Sequence, residues 1–189
     1  MVVDYFISWC NAYVINRDNP SIESPLKNYG QRDNALTSRV KAATQADDST
    51  LKKYIEGHFL LMSAENKNGV ILEEYLAKVL EPYGWIWCAG STFKATDFCY
   101  LDKETVLLQV KNKYNSENSS SAGIRAGTKI LKWHRLNQPQ KKFGIGMPLP
   151  NWAELQTLVE ADENLAKLLT EEAYLNYIEK YSVSNLETL

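Results

Sequence analysis

Cysteine is scarce in this 189-residue chain: Cys10, Cys88 and Cys99 are three in number and widely spaced. An odd count excludes a framework that pairs every thiol, and no two of them stand at the C-x-x-C spacing of a zinc site. Reduced, buried thiols in a cytoplasmic protein are the expectation. Histidine is scarcer still. His58 and His134 have neither a cysteine nor a second histidine at ligand spacing, so His58 reads as a core or surface helix residue, while for His134 a phosphate contact stays open beside that plain reading. Long apolar runs are missing as well: nothing approaches the roughly 18 residues a membrane span needs. The opening residues carry Asp4 where a secretion signal would be basic, so no such signal is expected. Strong net charge is also lacking, at −2, and 44% hydrophobic with 23% charged residues is an ordinary globular composition. The length suits one domain around one core.

What is present is an uneven distribution of charge. Residues 103–142 hold nine basic side chains against two acidic ones, a net of +7, whereas residues 151–189 hold eight acidic against two basic, a net of −6. A basic middle in an otherwise acidic chain is the footprint of a localised polyanion site. A solvated basic helix face accounts for the same numbers.

The first third reads as helical, with residues 2–15 apolar-rich and breaks at Asn19-Pro20 and over residues 25–30. A helix is expected from residue 42 or 49 onward, carrying Leu51, Tyr54, Ile55, His58, Leu61 and Met62 at helical spacing. A separate helix over residues 69–80, capped by Asn66 or Asn68 and stopped by Pro82, would align Leu72, Tyr75, Leu76, Val79 and Leu80. Strands follow over residues 85–89, 95–101 and 105–113, the last two joined by the short Asp102-Lys103-Glu104 connection of an antiparallel hairpin. After a polar loop over residues 115–121 a basic helix is expected at 124–136, then a strand at 142–145 and helices at 151–169 and 171–181. Trp85 and Trp87 are expected to pack the first strand rather than stack on bases.

The chemistry concentrates in two of these strands. Asp97 opens one, and in the next Gln109-Val110-Lys111 follows Val106-Leu107-Leu108. Alternation along a strand sends Gln109 and Lys111 to one face and Val110 to the other, with Asp97 within reach on the neighbouring strand. Phosphodiester hydrolysis needs a hard cation held by oxygen, and Asp97, the Gln109 amide oxygen and the Val110 carbonyl are three donors suited to magnesium. The Lys111 ammonium beside them can orient a water or offset charge on a phosphate. An edge-strand lysine reaching solvent and a hairpin carboxylate are the plain readings of Lys111 and Asp97.

Residues 69–113 resemble the PD-(D/E)xK nuclease superfamily: a Glu73-Glu74-Tyr75-Leu76 helix, then the Asp97 strand, then the Lys111 strand. More narrowly, QVKNKYNSEN at 109–118, the serines after it and the helix around Trp133 resemble the SinI-like type II restriction endonucleases. The resemblance implies an α/β fold with a PD-(D/E)xK restriction-endonuclease-like core, a mixed central sheet of four or five strands flanked by helices. It implies one nuclease domain over 1–189, with a helical part at 1–65, a catalytic core and DNA-binding helix at 66–148, and C-terminal helices at 149–189. Catalysis would rest on Glu73, Asp97, Gln109 and Lys111, and Mg2+ on Asp97, Gln109, Val110 and Glu73. Gln109 departs from the superfamily, which has Asp or Glu there; an amide brings no charge, so Glu73, or alternatively Glu74, must compensate.

Double-stranded DNA would be the substrate, cut at a short, GGWCC-like site by a homodimer, with a cognate methyltransferase encoded nearby and no membrane partner. Lys113, Asn115, Asn118, Ser119, Ser120, Ser121, Arg125, Lys129, Lys132 and Arg135 are the candidate DNA contacts. Basic groups at helical spacing suit phosphate, and Arg125 and Asn118 suit guanine and adenine edges. A repair or recombination nuclease of the same superfamily, and a DNA-binding module without catalysis, remain alternatives.

Overall fold

The computed structural model describes residues 2–27, 30–90, 93–102, 104–114, 126–138 and 148–183. Among them the chain forms α1 (Val2–Asp18), α2 (Asn34–Thr44), α3 (Asp48–Leu80), β1 (Trp85–Trp87), β2 (Phe98–Leu101), β3 (Thr105–Lys113), β4 (Ile130–Leu136), α4 (Trp152–Leu158), α5 (Glu163–Leu168) and α6 (Glu171–Tyr181). The strands make one mixed sheet in the order β1-β2-β3-β4, antiparallel between β1, β2 and β3 and parallel between β3 and β4. The expected hairpin is thus β2-β3, at the middle of an α/β sheet flanked by helices.

Helix α3 runs unbroken for 33 residues, so the two helices expected across residues 49–80 are one. Asp47 caps its start by accepting from the Thr50 N–H. Asn66, Asn68 and Gly69 lie inside it. An internal glycine costs about 1 kcal/mol relative to alanine, less than the burial of any one of Leu72, Leu76 or Leu80, each worth roughly 1.5–3 kcal/mol. Those leucines are fully buried against Phe98, Leu108, Val110 and Trp133 of the sheet. Trp152, Leu155, Leu165, Leu169 and Tyr174 of the C-terminal segment close the same core.

Residues 130–136, expected as part of a basic helix, form β4 instead. Ile130 and Trp133 are residues that suit a pleated, half-buried surface, and the parallel pairing with β3 buries Trp133 completely. The helix expected over 151–169 is two, because Asp162 accepts from the Asn164 and Leu165 N–H groups and starts a new helix. The strand expected at 142–145 falls outside the described residues. At the sheet's edge, Gly90 has φ +71°, and a Cβ there would sit 2.7 Å from the Asn16 amide nitrogen and 3.1 Å from the Ala12 carbonyl oxygen, so α1 can approach only a glycine. No helix among the described residues is long and apolar enough to cross a membrane.

Candidate active site

Three elements deliver the site. On α3 the consecutive Glu73 and Glu74 diverge, as neighbours on a helix must. Glu74 is 7% exposed and accepts backbone N–H bonds from Ser21 at 2.5 Å and Ile22 at 3.2 Å, so it ties the 20–24 turn to the helix. Glu73 turns to the sheet, where its Oε2 accepts from the Trp87 indole at 3.2 Å. Asp97 lies one residue before β2 and continues its pairing: its N–H donates to the Leu108 carbonyl, and its carbonyl accepts from the Cys88 N–H. A turn closed by the Phe93–Thr96 bridge, with Ala95 at φ +62°, aims it there. Its Oδ2 accepts from the Val110 backbone N–H at 2.7 Å. On β3, Gln109 is 1% exposed and Lys111 is half-buried.

The electrostatics tie these groups together. Burial first, and then the negative charge of Asp97, push the Glu73 carboxyl up to about 7; the Trp87 indole and the Lys111 ammonium pull the other way. The Asp97 carboxyl is also raised, by burial, against the opposing Val110 N–H and Lys111. A buried carboxyl raised further by the charge of a second carboxylate is what a cation relieves. Each also has one oxygen held by an N–H and the other without a hydrogen bond among the described residues. Among those residues no three His, Cys, Asp or Glu side chains gather as a metal site. The oxygen donors present are two carboxylates, the Gln109 amide and main-chain carbonyls, a hard set that fits magnesium better than a thiophilic metal. The Cys88 thiol, with Cys99 Sγ at 3.9 Å, is pushed up to about 12, chiefly by burial, and is not a nucleophile.

Trp87 escaped the sequence reading as a functional residue. Its aromatic strand pattern signals only packing, and nothing local announces that its N–H would hold a carboxylate from a helix 14 residues back.

The candidate DNA contacts are scattered. Lys113 pairs with Glu65 of α3 at 2.6 Å on the surface. Lys129 is exposed just before β4, and Lys132 is half-buried on it. Arg135 is 9% exposed; its Nε donates to Asn112 at 2.9 Å, and its guanidinium pairs with Glu171 and covers the Tyr174 ring at 5.1 Å. On a strand these residues make no helical ridge. Asn115, Asn118, Ser119, Ser120, Ser121 and Arg125 lie outside the described residues.

A mixed sheet whose central hairpin gathers two carboxylates, a buried amide and a lysine defines an α/β protein with a site ready for a hard cation. The chain belongs to the SinI restriction endonuclease family, whose model matches residues 16–184. It is similar to the type II restriction enzyme Eco47I of Escherichia coli, with 43% identity over 136 residues covering 70% of this chain and 54% of that protein. It is also similar to the type II restriction enzyme SinI of Salmonella infantis, with 38% identity over 152 residues covering 79% of this chain and 61% of that protein. The chain therefore spans a little over half the length of these relatives.

Proposed function

We propose that this chain is a type II restriction endonuclease of the PD-(D/E)xK kind, hydrolysing phosphodiester bonds of double-stranded DNA at a short specific site with magnesium. The observation that carries the reading is the meeting of Glu73 from α3, Asp97 at the mouth of β2 and Lys111 on β3, where Asp97 pushes the Glu73 carboxyl up and Lys111 pulls both carboxyls down. The names of the two relatives support the same class.

Glu73 and Asp97 would hold the cation, with the Gln109 amide oxygen and the Val110 carbonyl completing an all-oxygen set. When bound, magnesium polarises the scissile phosphate and makes a water more acidic. Trp87 fixes one Glu73 oxygen and the Val110 N–H fixes one Asp97 oxygen, so each carboxylate presents its other oxygen without rotating. Lys111 makes no ion pair or hydrogen bond among the described residues, so its ammonium is available to a phosphate oxygen and offsets charge as it builds there. Lys129 and Lys132 would contact backbone phosphates, and the 115–125 segment would read bases. The enzyme would work in the cytoplasm as a homodimer, since two-fold symmetry matches a palindromic site, which by resemblance is GGWCC-like, with a methyltransferase encoded nearby protecting it.

The test is plasmid DNA incubated with wild-type protein and Lys111→Ala, in magnesium and in chelator, with fragment ends sequenced. Discrete ends that require magnesium, and a rate at least about 10²-fold lower in the variant, are expected. No cleavage by the wild-type chain across divalent metals would overturn the reading in favour of a binding module.

A further inference from the structure

The parallel pairing of β3 with β4 sets Gln109 opposite Lys132 and Lys111 opposite His134. In a parallel ladder, paired side chains project from the same face, and strands lie about 4.8 Å apart. Lys132 and His134 are therefore a second row beside Gln109 and Lys111. On the helix expected from sequence they would have pointed in widely different directions.

His134 is held in that row. Its ring meets the Tyr114 ring edge-on at 5.0 Å, and Lys132 sits 6.0 Å from the centre of the same tyrosine. Its Nε2 lies 3.2 Å from Asn137 Oδ1. The Asn137 side chain can accept from Nε2–H or, turned over, donate to a bare Nε2, so it supports either tautomer. The other nitrogen, Nδ1, has no hydrogen bond among the described residues. A half-buried imidazole has thus been fixed by one nitrogen and one ring face, next to the lysine of the candidate site, with a second nitrogen left over.

We infer that His134 is a DNA-backbone contact whose Nδ1 donates to a phosphate oxygen of the strand lying across Lys111 and Lys132. This rests on the nuclease reading above and adds to it a residue that holds the strand without joining the hydrolysis. Neither the hairpin nor the 115–125 segment supplies it.

The test compares His134→Ala, His134→Asn and His134→Gln, each checked for an unchanged melting temperature. Steady-state cleavage of plasmid DNA gives KM and kcat, and DNA binding is measured in a Lys111→Ala background so that the substrate survives. The Asn amide nitrogen stands where Nδ1 does, two bonds from Cβ, whereas the Gln amide reaches only the Nε2 position. Loss of a contact to a charged oxygen raises KM and Kd by about 10- to 100-fold with kcat nearly unchanged, because the contact is present before and during reaction. The alanine and glutamine variants are expected to show that loss, and the asparagine variant to recover to within roughly threefold, about half the energy of a good hydrogen bond.

Equal KM in wild type and His134→Ala, with wild type cutting normally, overturns the inference while leaving the nuclease reading intact. Rescue by glutamine and not asparagine overturns it as well, since the working nitrogen is then Nε2. A loss confined to kcat overturns it too, by moving the residue into the chemistry. A wild-type chain that neither binds nor cuts DNA removes both claims together.

Discussion

Glu73→Gln separates the cost of building the site from its use. In the unfolded chain this carboxyl ionises near 4.5, and in the fold it holds its proton to about 7. Below pH 4.5 both states are protonated and the burial carries no charge penalty. Between 4.5 and 7 the folded chain holds more protons than the unfolded one, so stability falls as pH rises; above 7 the loss is complete and constant. Across that window, at 1.36 kcal/mol per pH unit, the loss is about 3 kcal/mol, or roughly 6 to 12 °C in Tm for a chain of this size. Glutamine keeps an amide oxygen for the Trp87 indole and removes the charge. The metal-free variant should therefore match wild type near pH 4.5 and melt higher at pH 8, and with magnesium supplied it should cleave no DNA. Magnesium should reverse the order in part: at ten times its Kd it stabilises wild type by about 1.4 kcal/mol, and it should do far less for the variant. Calorimetry at the two pH values, with and without magnesium, decides the matter. A variant no more stable at pH 8 than at 4.5 relative to wild type, or equally stabilised by magnesium, would refute the argument that Glu73 is a strained cation ligand.

Gln109→Glu adds a third carboxylate at a position only 1% exposed; the metal-free protein should melt lower at pH 8, and the magnesium concentration for half-maximal cleavage should fall by about tenfold, read by a metal titration. Arg135→Ala strips the guanidinium from Asn112 and Glu171, and Tm should drop by the equivalent of about 3–5 kcal/mol while the sequenced fragment ends stay the same. A changed site preference would return Arg135 to the DNA interface. Lys129→Ala should weaken binding to all DNA sequences alike and reduce the salt slope of the binding constant by about 0.9, measured by titration at several ionic strengths.

The difference between what was legible and what was not lies in which contacts a residue needs to declare its state. Residues 105–113 read correctly as a strand to the residue, because their pattern of apolar positions with Gln109 and Lys111 interleaved matches a ladder, and the short 102–104 connection leaves only a hairpin. Residues 130–136 did not. Lys129, Lys132 and Arg135 fall at spacings a helix would use, and the apolar Ile130, Leu131, Trp133 and Leu136 do not alternate cleanly with polar positions to contradict it. The deciding contact, Val110 beside Trp133, joins positions far apart in the chain.

The same division runs through the candidate site. Asp97 and Lys111 could be paired from sequence because one hairpin carries both. Glu73 could be set against Glu74 only by knowing what each faces, a turn at residues 21–22 for one and an indole on β1 for the other. The misreading of β4 had a consequence for function: treating residues 124–136 as a helix made Arg135 a phosphate contact and left His134 without a neighbour. As strand β4, residues 130–136 turn Arg135 inward to Glu171 and bring His134 alongside Lys111. Residues that close on a site from adjacent strands are invisible until the strand order is known, so the second row beside the hairpin is the part of the site that only the fold could supply.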